Sequence, residues 1–477
     1  MTALEQDTRH LTAQRFERMR PFGGRRAPKV ETHGLPPGPR WPTFVQSVAL
    51  LRFRHRTVPW LHRKYGDTFT VRILPAGRPL VLFARPEHAK EIFAGDPAVF
   101  HAGKGNAILG PIMGEHSLLL QDGGDHQRAR RLLMPAFNGH ALKDYQGLVE
   151  RVAHAEVGRW RTGETFPALE RMNALTLEVI LTVVFGVTDE RRLAALRPRV
   201  RATVEVGPSV LLGWGFPFLR RFGPWRRTVE NAFALDELIY REIRERRAAP
   251  DLHERTDVLS RLLTVSDGAD ALADGPADGP ADGPAGGPAD GLADVELRDQ
   301  LVTLLLAGHE TTATALAWAL YELGRDRDQL RRAREAAASD DDGWLEAVLK
   351  ESMRVHPVLP MVVRTLMAPA TVGGYDLPAG ATVGPSILLA HRRAENHVDP
   401  ERFDPGRFVG RHPAPNTWIP FGGGVRRCIG AGFSLMEGVA VLRAVLAAYD
   451  VEAVGADRPR VRNITSVPDR GARIRVH

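Results

Sequence analysis

The chain has very little cysteine: Cys428 is one residue in 477. A single thiol cannot form an internal disulfide, and it cannot supply the cysteine pairs of a structural zinc site. The fold therefore does not depend on disulfide bonds, which fits a protein of the reducing cytoplasm. We expect a cytoplasmic location.

Long apolar runs are also lacking. A membrane-spanning helix needs roughly 18 uninterrupted apolar residues, and the best candidate, residues 301–320, is interrupted by His309 and Glu310. The first residues have no apolar core, which excludes a secretory signal, and their acidic side chains weigh against a transit peptide. We therefore predict a flexible, loosely ordered basic arm over residues 1–34.

Acidic charge is in the minority, because the formal net charge is +7. Much of the excess lies in the arm and in "RRFGPWRR" (220–227). No aromatic-basic groove motif accompanies it, so the charge does not indicate nucleic-acid binding. An acidic protein partner is the better explanation for a basic face.

The remaining pattern is that of a mainly α protein with a small β region. Prolines in "LPPGPRWP" (35–42) end the arm, and the alternating stretches around residue 75 predict a β-hairpin. From about residue 86 the apolar spacing is mostly helical, and short strands return in "MVVRTL" (361–366) and "ATVGPSI" (381–387). We expect one large domain over residues 35–477.

One stretch inside that domain is low in complexity. "ADGPADGPADGPAGGPADGL" (273–292) repeats a tetrapeptide in which half of the positions are Pro or Gly. Such a segment cannot bury enough apolar surface to offset its ordering entropy. It is either a tether for a partner or an expanded surface loop, and we favour the loop.

The single cysteine lies in a glycine-rich stretch, "FGGGVRRCIGAG" (421–432). Glycine lets the backbone turn tightly and lets a flat group approach closely. A helical pattern follows, so Cys428 precedes a helix N-terminus, where a thiolate is stabilised. On this evidence alone the residue is a nucleophile, an iron ligand or a packed thiol.

A second polar feature interrupts the apolar pattern predicted to form one long helix over residues 295–326. Gly308 costs about 1 kcal/mol there relative to alanine, and Glu310, Thr311 and Thr312 stand beside it. A threonine can simply bond back to its own helix. Together, a small residue, an acid and a hydroxyl indicate a pocket to which protons are delivered.

These stretches resemble the motifs of the cytochrome P-450 family. "FGGGVRRCIG" is similar to the haem-binding signature, and "AGHETT" (307–312) to the oxygen-binding motif of the long central helix. "ESMR" (351–354), "PERF" (400–403) and "HQRAR" (126–130) stand in the order and spacing of the remaining motifs. The resemblance covers roughly residues 35–477.

The resemblance implies a haem b cofactor, with the long helix over the haem and the cysteine loop beneath it. Cys428 would be the iron ligand, as the thiolate that favours O–O cleavage. The other implied haem contacts are Phe421, Gly430, Ala307 and Gly308, with His126, Arg130, Arg364 and Arg426 at the propionates. Glu351, Arg354 and Arg402 would form a buried charged triad. We interpret His309 and His356 as structural.

The implied activity is monooxygenation: one atom of O2 enters the substrate and the other becomes water. Thr311 and Glu310 would supply the protons of oxygen activation. Two alternatives remain, namely a peroxide-driven peroxygenase and a thiolate-haem sensor without turnover. No flavin or iron–sulfur motif occurs, so we expect electrons from a separate ferredoxin and ferredoxin reductase, with the protein itself a monomer.

The substrate is not named by any motif. By family position the pocket would be lined from residues 101–120, 204–219, 358–363 and 464–467, which are strongly apolar. This favours a hydrophobic molecule such as a terpene, steroid, fatty acyl chain or polyketide. The stretch "GWGFPFL" (213–219) beside residues 220–227 is either a channel lid or a weak contact with a membrane surface, and we favour the lid.

Overall fold

The computed structural model describes residues 3–18, 34–74, 77–187, 189–207, 210, 217–267, 292–339 and 341–477. Helices dominate these residues. In chain order the helices α1 to α16 are Ala3–Arg18, Thr43–Tyr65, Pro86–Ala94, Ala102–Gly105, Gly110–Met113, Gly123–Leu133, Gly139–Val157, Ala168–Phe185, Glu190–Val204, Gly223–Arg247, Val258–Asp267, Asp294–Leu323, Arg327–Ala338, Asp342–Val355, Ile387–Ala390 and Ala431–Ala448.

The strands are short and form small sheets, as the sequence predicted. In chain order β1 to β12 are Thr68–Ile73, Arg78–Phe83, Phe100–His101, Thr165–Pro167, Arg364–Leu366, Ala370–Val372, Tyr375–Leu377, Thr382–Pro385, Val451–Ala453, Pro459–Val461, Ser466–Pro468 and Arg473–Val476. The largest sheet has the order β1-β2-β8-β5-β3. The expected hairpin is its antiparallel β1–β2 pair, in which Thr68 faces Phe83.

The long helix α12 runs through the centre of the molecule, close to the predicted bounds. It packs most extensively on α8, and also contacts α14 and α16. Nearly every residue from Leu297 to Leu323 is buried. Because apolar residues surround it on all sides, α12 is a core helix without a solvent face.

The N-terminal arm was predicted to be flexible, and for residues 3–18 that prediction is wrong. These residues form α1, which packs against α10. Thr12, Arg15 and Phe16 are buried, and the Thr12 hydroxyl donates to an Asp236 oxygen at 2.7 Å. The predicted loop at 273–292 lies outside the described residues, apart from Leu292.

One described helix has the length and composition of a membrane span, and it is α16 rather than residues 301–320. In this fold α16 packs against α7, α13 and α14. Its apolar side chains belong to the main core cluster. Its composition is therefore explained by packing inside the protein.

Candidate active site

The cysteine loop is built by tight turns that only glycine allows. The Cys428 amide donates to the Phe421 carbonyl at 2.9 Å, which closes the loop on itself. Gly424 has a φ of +63°, and a Cβ there would lie 2.1 Å from the carbonyl oxygen of Phe93 on α3. The positive φ and the close approach both require glycine. Gly430 then caps α16, so Cys428 lies just before a helix N-terminus as predicted.

Cys428 has solvent-accessible surface, although many protein atoms lie around its sulfur. Burial raises the pKa of the thiol, while the Gly430 amide and the charges of Arg130 and Arg427 oppose that rise. The sequence suggested that the helix terminus would stabilise a thiolate; in the protein alone, burial outweighs this effect. A metal ion at the sulfur reverses such a balance, because a coordinating thiol is deprotonated.

The long helix opens at one place only along its described buried length. Ala307 is exposed, and Leu306, Gly308 and Thr311 are partly exposed, whereas the helix on both sides is buried. Close by, the Thr312 hydroxyl and the Ser434 hydroxyl on α16 are 3.1 Å apart. This contact ties the open part of α12 to the helix that follows Cys428.

Thr311 and Glu310 point to different partners. The Thr311 hydroxyl donates back to the Ala307 carbonyl at 2.7 Å, the alternative considered from the sequence. Glu310 is buried, and its Oε1 accepts from Arg462 Nη1 at 3.2 Å and from the Thr465 hydroxyl at 3.4 Å. Burial raises the pKa of Glu310, and Arg462 and Thr465 oppose the rise.

Arg462 is a site residue that the sequence analysis missed. Its guanidinium contacts Glu310 and, through Nη2 at 3.4 Å, the exposed Glu205 at the end of α9. The Arg462 side chain is 23% exposed. It follows strand β10, more than a hundred residues from Glu310, so no local spacing could have revealed the pair.

Gly308 has a packing reason to be small in addition to the pocket inferred from sequence. A Cβ at Gly308 would lie 2.8 Å from Cδ1 of Ile180 on α8. Its small size therefore serves the close packing of α8 against α12. Gly308 is also partly exposed, beside the open positions Ala307 and Thr311.

The four predicted propionate partners lie close together. His126, Arg364 and Arg426 line one pocket, and the charges of Arg426, Arg130 and Arg364 all act on His126. Burial first, and these charges next, lower the pKa of His126 to about 4. In the protein alone His126 is therefore uncharged at neutral pH, and a neutral ring can still donate a hydrogen bond to a propionate.

The arginines of this group differ in their partners. No carboxylate among the described residues pairs with Arg130 or Arg364, and burial lowers the pKa of both, that of Arg364 to about 10. Arg426 instead forms an ion pair with Asp122 at 2.5 Å and donates to the carbonyls of Leu118 and Gln121. Arg130 and Arg364 are thus the guanidinium groups available to an anion.

The buried charged triad has a different third member from the one predicted. Glu351 and Arg354 are fully buried and joined by two hydrogen bonds, of 2.7 and 2.8 Å. The third cation is Arg407, whose Nε lies 3.2 Å from Glu351 Oε1. Arg402 contributes only its backbone carbonyl, which accepts from Arg354 at 2.9 Å. The prediction of Arg402 was wrong because the side chain of Arg402 is exposed.

The remaining candidates have structural surroundings. His309 is buried, and its carbonyl accepts from the Thr176 hydroxyl at 3.0 Å. His356 stacks on Trp318 with ring centroids 3.8 Å apart and is hydrogen-bonded to Glu322. Phe421 packs edge-on against Trp418 beside the cysteine loop. Residues 213–216 of the proposed lid lie outside the described residues.

These residues fit a haem. The donor set is one accessible thiol on a glycine loop, an exposed alanine on a core helix, and two guanidinium groups without described carboxylate partners. A flat, apolar, dianionic iron porphyrin needs those features: an axial ligand, room beside a helix and cations for its two carboxylates.

Comparison with known proteins agrees with this arrangement. The family model described as cytochrome P-450 matches residues 36–470. Cytochrome P-450 135A1 of Mycobacterium tuberculosis is 49% identical over 448 residues, which cover 93% of this chain and 96% of that protein. Cytochrome P-450 135B1 of Mycobacterium bovis is 42% identical over 451 residues, or 93% and 91% of the two chains.

Solved structures share the fold at low sequence identity. The retinoic acid-bound cyanobacterial CYP120A1 has a TM-score of 0.80 at 21% identity, covering 94% of this chain and 100% of that one. The haem domain of cytochrome P-450DA has a TM-score of 0.76 at 24% identity, covering 92% and 97%. The mainly helical architecture with small sheets is thus the one that the sequence predicted.

Proposed function

Because the chain belongs to the cytochrome P-450 family of haem-dependent monooxygenases, we propose that it inserts one atom of O2 into a hydrophobic small molecule with electrons from a separate ferredoxin. Haem b is the family's cofactor and O2 its co-substrate. When bound, the haem supplies an iron at which O2 is activated, and a thiolate ligand favours cleavage of the O–O bond. Cys428 would hold the iron, and Arg130 and Arg364 would hold the propionates.

The observation that carries the proposal is the contact of Glu310 with Arg462 next to Thr311. Arg462 is partly exposed and also reaches Glu205 at the surface. Polar groups therefore lead from the buried carboxyl to solvent. Because burial raises the pKa of Glu310, this carboxyl keeps its proton to a higher pH than an exposed one, which favours a role as a proton donor.

Thr311 would accept a hydrogen bond from the water or protonated group that carries the proton of Glu310, and would hold that group in place. Its hydroxyl hydrogen is engaged by the Ala307 carbonyl. The hydroxyl oxygen keeps its acceptor capacity, and the side chain lies on the open part of α12. Thr311 Oγ1 can thus accept a hydrogen bond from a water or a protonated group in that space.

The test of this pair compares Thr311→Ala with Thr312→Ala, its neighbour that faces Ser434 instead. General acid–base groups contribute about 10²–10⁴-fold to a rate. In Thr311→Ala we expect product per electron to fall at least tenfold, with the electrons recovered as hydrogen peroxide, while Thr312→Ala stays coupled. Glu310→Gln should slow electron consumption and product formation together.

One result would reject the role of Thr311 in proton delivery, namely a Thr311→Ala variant that couples as well as wild type. Another would reject the monooxygenase proposal itself: a wild-type protein that turns over faster with added peroxide than with a ferredoxin and its reductase, which would favour a peroxygenase. The iron ligand is tested separately: reduced protein under carbon monoxide should show the red-shifted Soret band of thiolate ligation, and Cys428→Ala should lose it.

A hydrophobic substrate is supported by the side chains near the open part of α12. Ile108 and Ile112 from the first proposed lining segment, Val206 from the second, and Leu306 pack in one apolar cluster. Apolar lining with few polar groups is typical of sites for hydrophobic ligands. Difference spectroscopy over a library of apolar compounds identifies the class, and a preference for charged ligands would contradict it.

The electron donor would approach the surface beside Cys428, where α6 and α7 lie. Arg427 is exposed beside the cysteine, and the exposed Arg131 and Lys143 lie on α6 and α7. Helix α7 is close to the cysteine loop, because a Cβ at Gly432 would touch Leu142 of α7. Positive charge there suits an acidic ferredoxin. Arg427→Glu should slow reduction by the ferredoxin about tenfold at low salt and less at high salt, whereas the exposed Arg226→Glu on α10 should not.

A further inference from the structure

The N-terminal helix α1 carries one aromatic side chain into the interior. Phe16 is 5% exposed and belongs to an apolar cluster with Ile112, Val206 and Val210. Leu306 of α12 packs against the same cluster, and it directly precedes the exposed Ala307. The ring of Phe16 is therefore part of the apolar wall that begins at the open part of the long helix.

The cluster joins segments that are far apart in sequence. Ile112 lies in α5, Val206 follows α9, and Phe16 is the contribution of α1. The first two segments are those that the sequence analysis placed around the substrate. Phe16 packs in one cluster with both segments, so a ligand that enters between them would also meet its ring.

Buried charges hold α1 in this position. Asp236 on α10 accepts from Thr12, from Arg15 and from Arg298 of α12, with an Arg298 Nε distance of 2.7 Å. Arg298 also pairs with Asp299 at 2.8 Å and donates to the Met113 carbonyl at 3.0 Å. We call Arg15, Asp236, Arg298 and Asp299 the Asp236 cluster. It links α1, α10 and α12 to the end of α5.

The ring and backbone of Phe16 have further contacts. Its carbonyl accepts from Arg220 Nη1 at 2.7 Å, and the guanidinium of Arg220 lies 5.8 Å from the ring centroid. The ring of Phe233 on α10 is 6.2 Å away. The side chain is thus fixed in place by the segments on either side of it.

We propose that α1 is a component of the substrate site, in which Phe16 closes the apolar space between α5 and the segment after α9 and limits the size of the ligand. The proposal rests on the proposed function, because it assumes that an apolar ligand occupies that space. Removal of the ring leaves an apolar cavity, and such cavities accept apolar groups. Phe16 is then a specificity-determining residue.

The experiment compares two ligands of the haem iron in the holoenzyme, the small imidazole and the bulky apolar 1-tritylimidazole. In Phe16→Ala we expect 1-tritylimidazole to bind at least tenfold more tightly, with imidazole changed less than twofold. Phe16→Trp should weaken binding of the bulky probe. Leu11→Ala on the same helix, where Leu11 packs on the main core instead, is the control for loosening of α1.

Each outcome has a distinct meaning. Equal effects of Leu11→Ala and Phe16→Ala, or no effect of Phe16→Ala and Phe16→Trp on the bulky probe, would overturn the proposal. If the Phe16 variants do not fold, amide hydrogen exchange of wild type decides: saturation with 1-tritylimidazole should slow exchange in residues 3–18, and unchanged exchange overturns it. A protein without the thiolate spectrum under carbon monoxide, or without imidazole binding, contradicts the proposed function instead.

Discussion

Two buried charge clusters in this molecule differ in how they are built. Glu351 and Arg354 stand three residues apart on one helix, and the Arg354 guanidinium also bonds the carbonyls of His391, Pro400 and Arg402. The Asp236 cluster takes its members from three helices, and Arg15 leaves Nε and Nη2 without hydrogen-bond partners. The first cluster is enclosed on every side, whereas the second includes one residue from a peripheral helix. We expect this difference to decide what each cluster contributes to stability.

The largest effect is expected from Arg354→Ala. The Glu351 carboxylate has no exposed surface, and this substitution removes its closest cation. Breaking a buried ion pair in this way costs about 3–5 kcal/mol. Denaturant unfolding of the holoenzyme measures the loss. Arg354→Lys should restore little of it, because an ammonium cannot reach all of these acceptors at once. A loss below about 1 kcal/mol would show that the enclosed cluster is not held by this pair.

A smaller effect is expected from Asp236→Ala. Arg15 can move into water with α1, and Arg298 keeps Asp299, so the loss should stay below the roughly 3–5 kcal/mol of an enclosed pair. Amide exchange should speed up in residues 3–18 far more than in α12. If exchange instead rises equally throughout, the Asp236 cluster is as central to the fold as the Glu351 pair.

Glu437 differs from both clusters, because it is a buried acid that forms no ion pair with any described residue. Both of its carboxyl oxygens lack hydrogen-bond partners among the described residues, and burial raises its pKa from 4.5 to about 8, with Thr312 opposing the rise. Because the pKa is raised in the folded protein, the contribution of Glu437 to the free energy of unfolding is complete below pH 4.5 and is lost as the pH rises through about 8. The slope is about 1.4 kcal/mol per pH unit.

The matched variant for this prediction is Glu437→Gln, which keeps the shape and cannot ionise. The difference in unfolding free energy between wild type and variant should change with pH between 4.5 and about 8 and be flat below that window. A difference that does not vary with pH would mean that Glu437 is ionised in the fold and has a partner.

The smallest effect is expected from Arg402→Ala. Its backbone carbonyl, which Arg354 binds, is kept in the variant, so stability should change by less than about 0.5 kcal/mol. Arg407→Ala removes the side chain that contacts Glu351 and should cost about 1–3 kcal/mol. Thermal unfolding of the two variants side by side tests the corrected triad, and a larger loss in Arg402→Ala would restore the prediction made from sequence.

The features predicted correctly are those that local spacing specifies. The hairpin, the long helix and the glycine loop before α16 each depend on residues within one turn or one strand pair. Glu351 and Arg354 were predicted from the resemblance to the family's motif, and their spacing of three places both on one side of a helix.

The features that were missed depend on contacts between distant segments. The side chain that joins Glu351 comes from the turn at Arg407, and no pattern distinguishes it from the arginine five residues earlier. Arg462 meets Glu310 only because β11, the partner strand of β10, contacts α12. The helical packing of residues 3–18 depends on Asp236, and a segment rich in polar residues gives no sign of a distant buried partner.

The contact between Gly308 and Ile180 has a consequence for the engineering of new specificities. Ala307 has an exposed side chain and is an implied haem contact, so a larger residue there would take room from the haem. Gly308, one position later, is coupled to α8, because a Cβ there would lie 2.8 Å from Cδ1 of Ile180 and that methyl group would have to move. A library that pairs Gly308→Ala with Ile180→Val removes one methyl group from α8 where it adds one to α12, so the pair makes room that the single change must gain by moving Ile180.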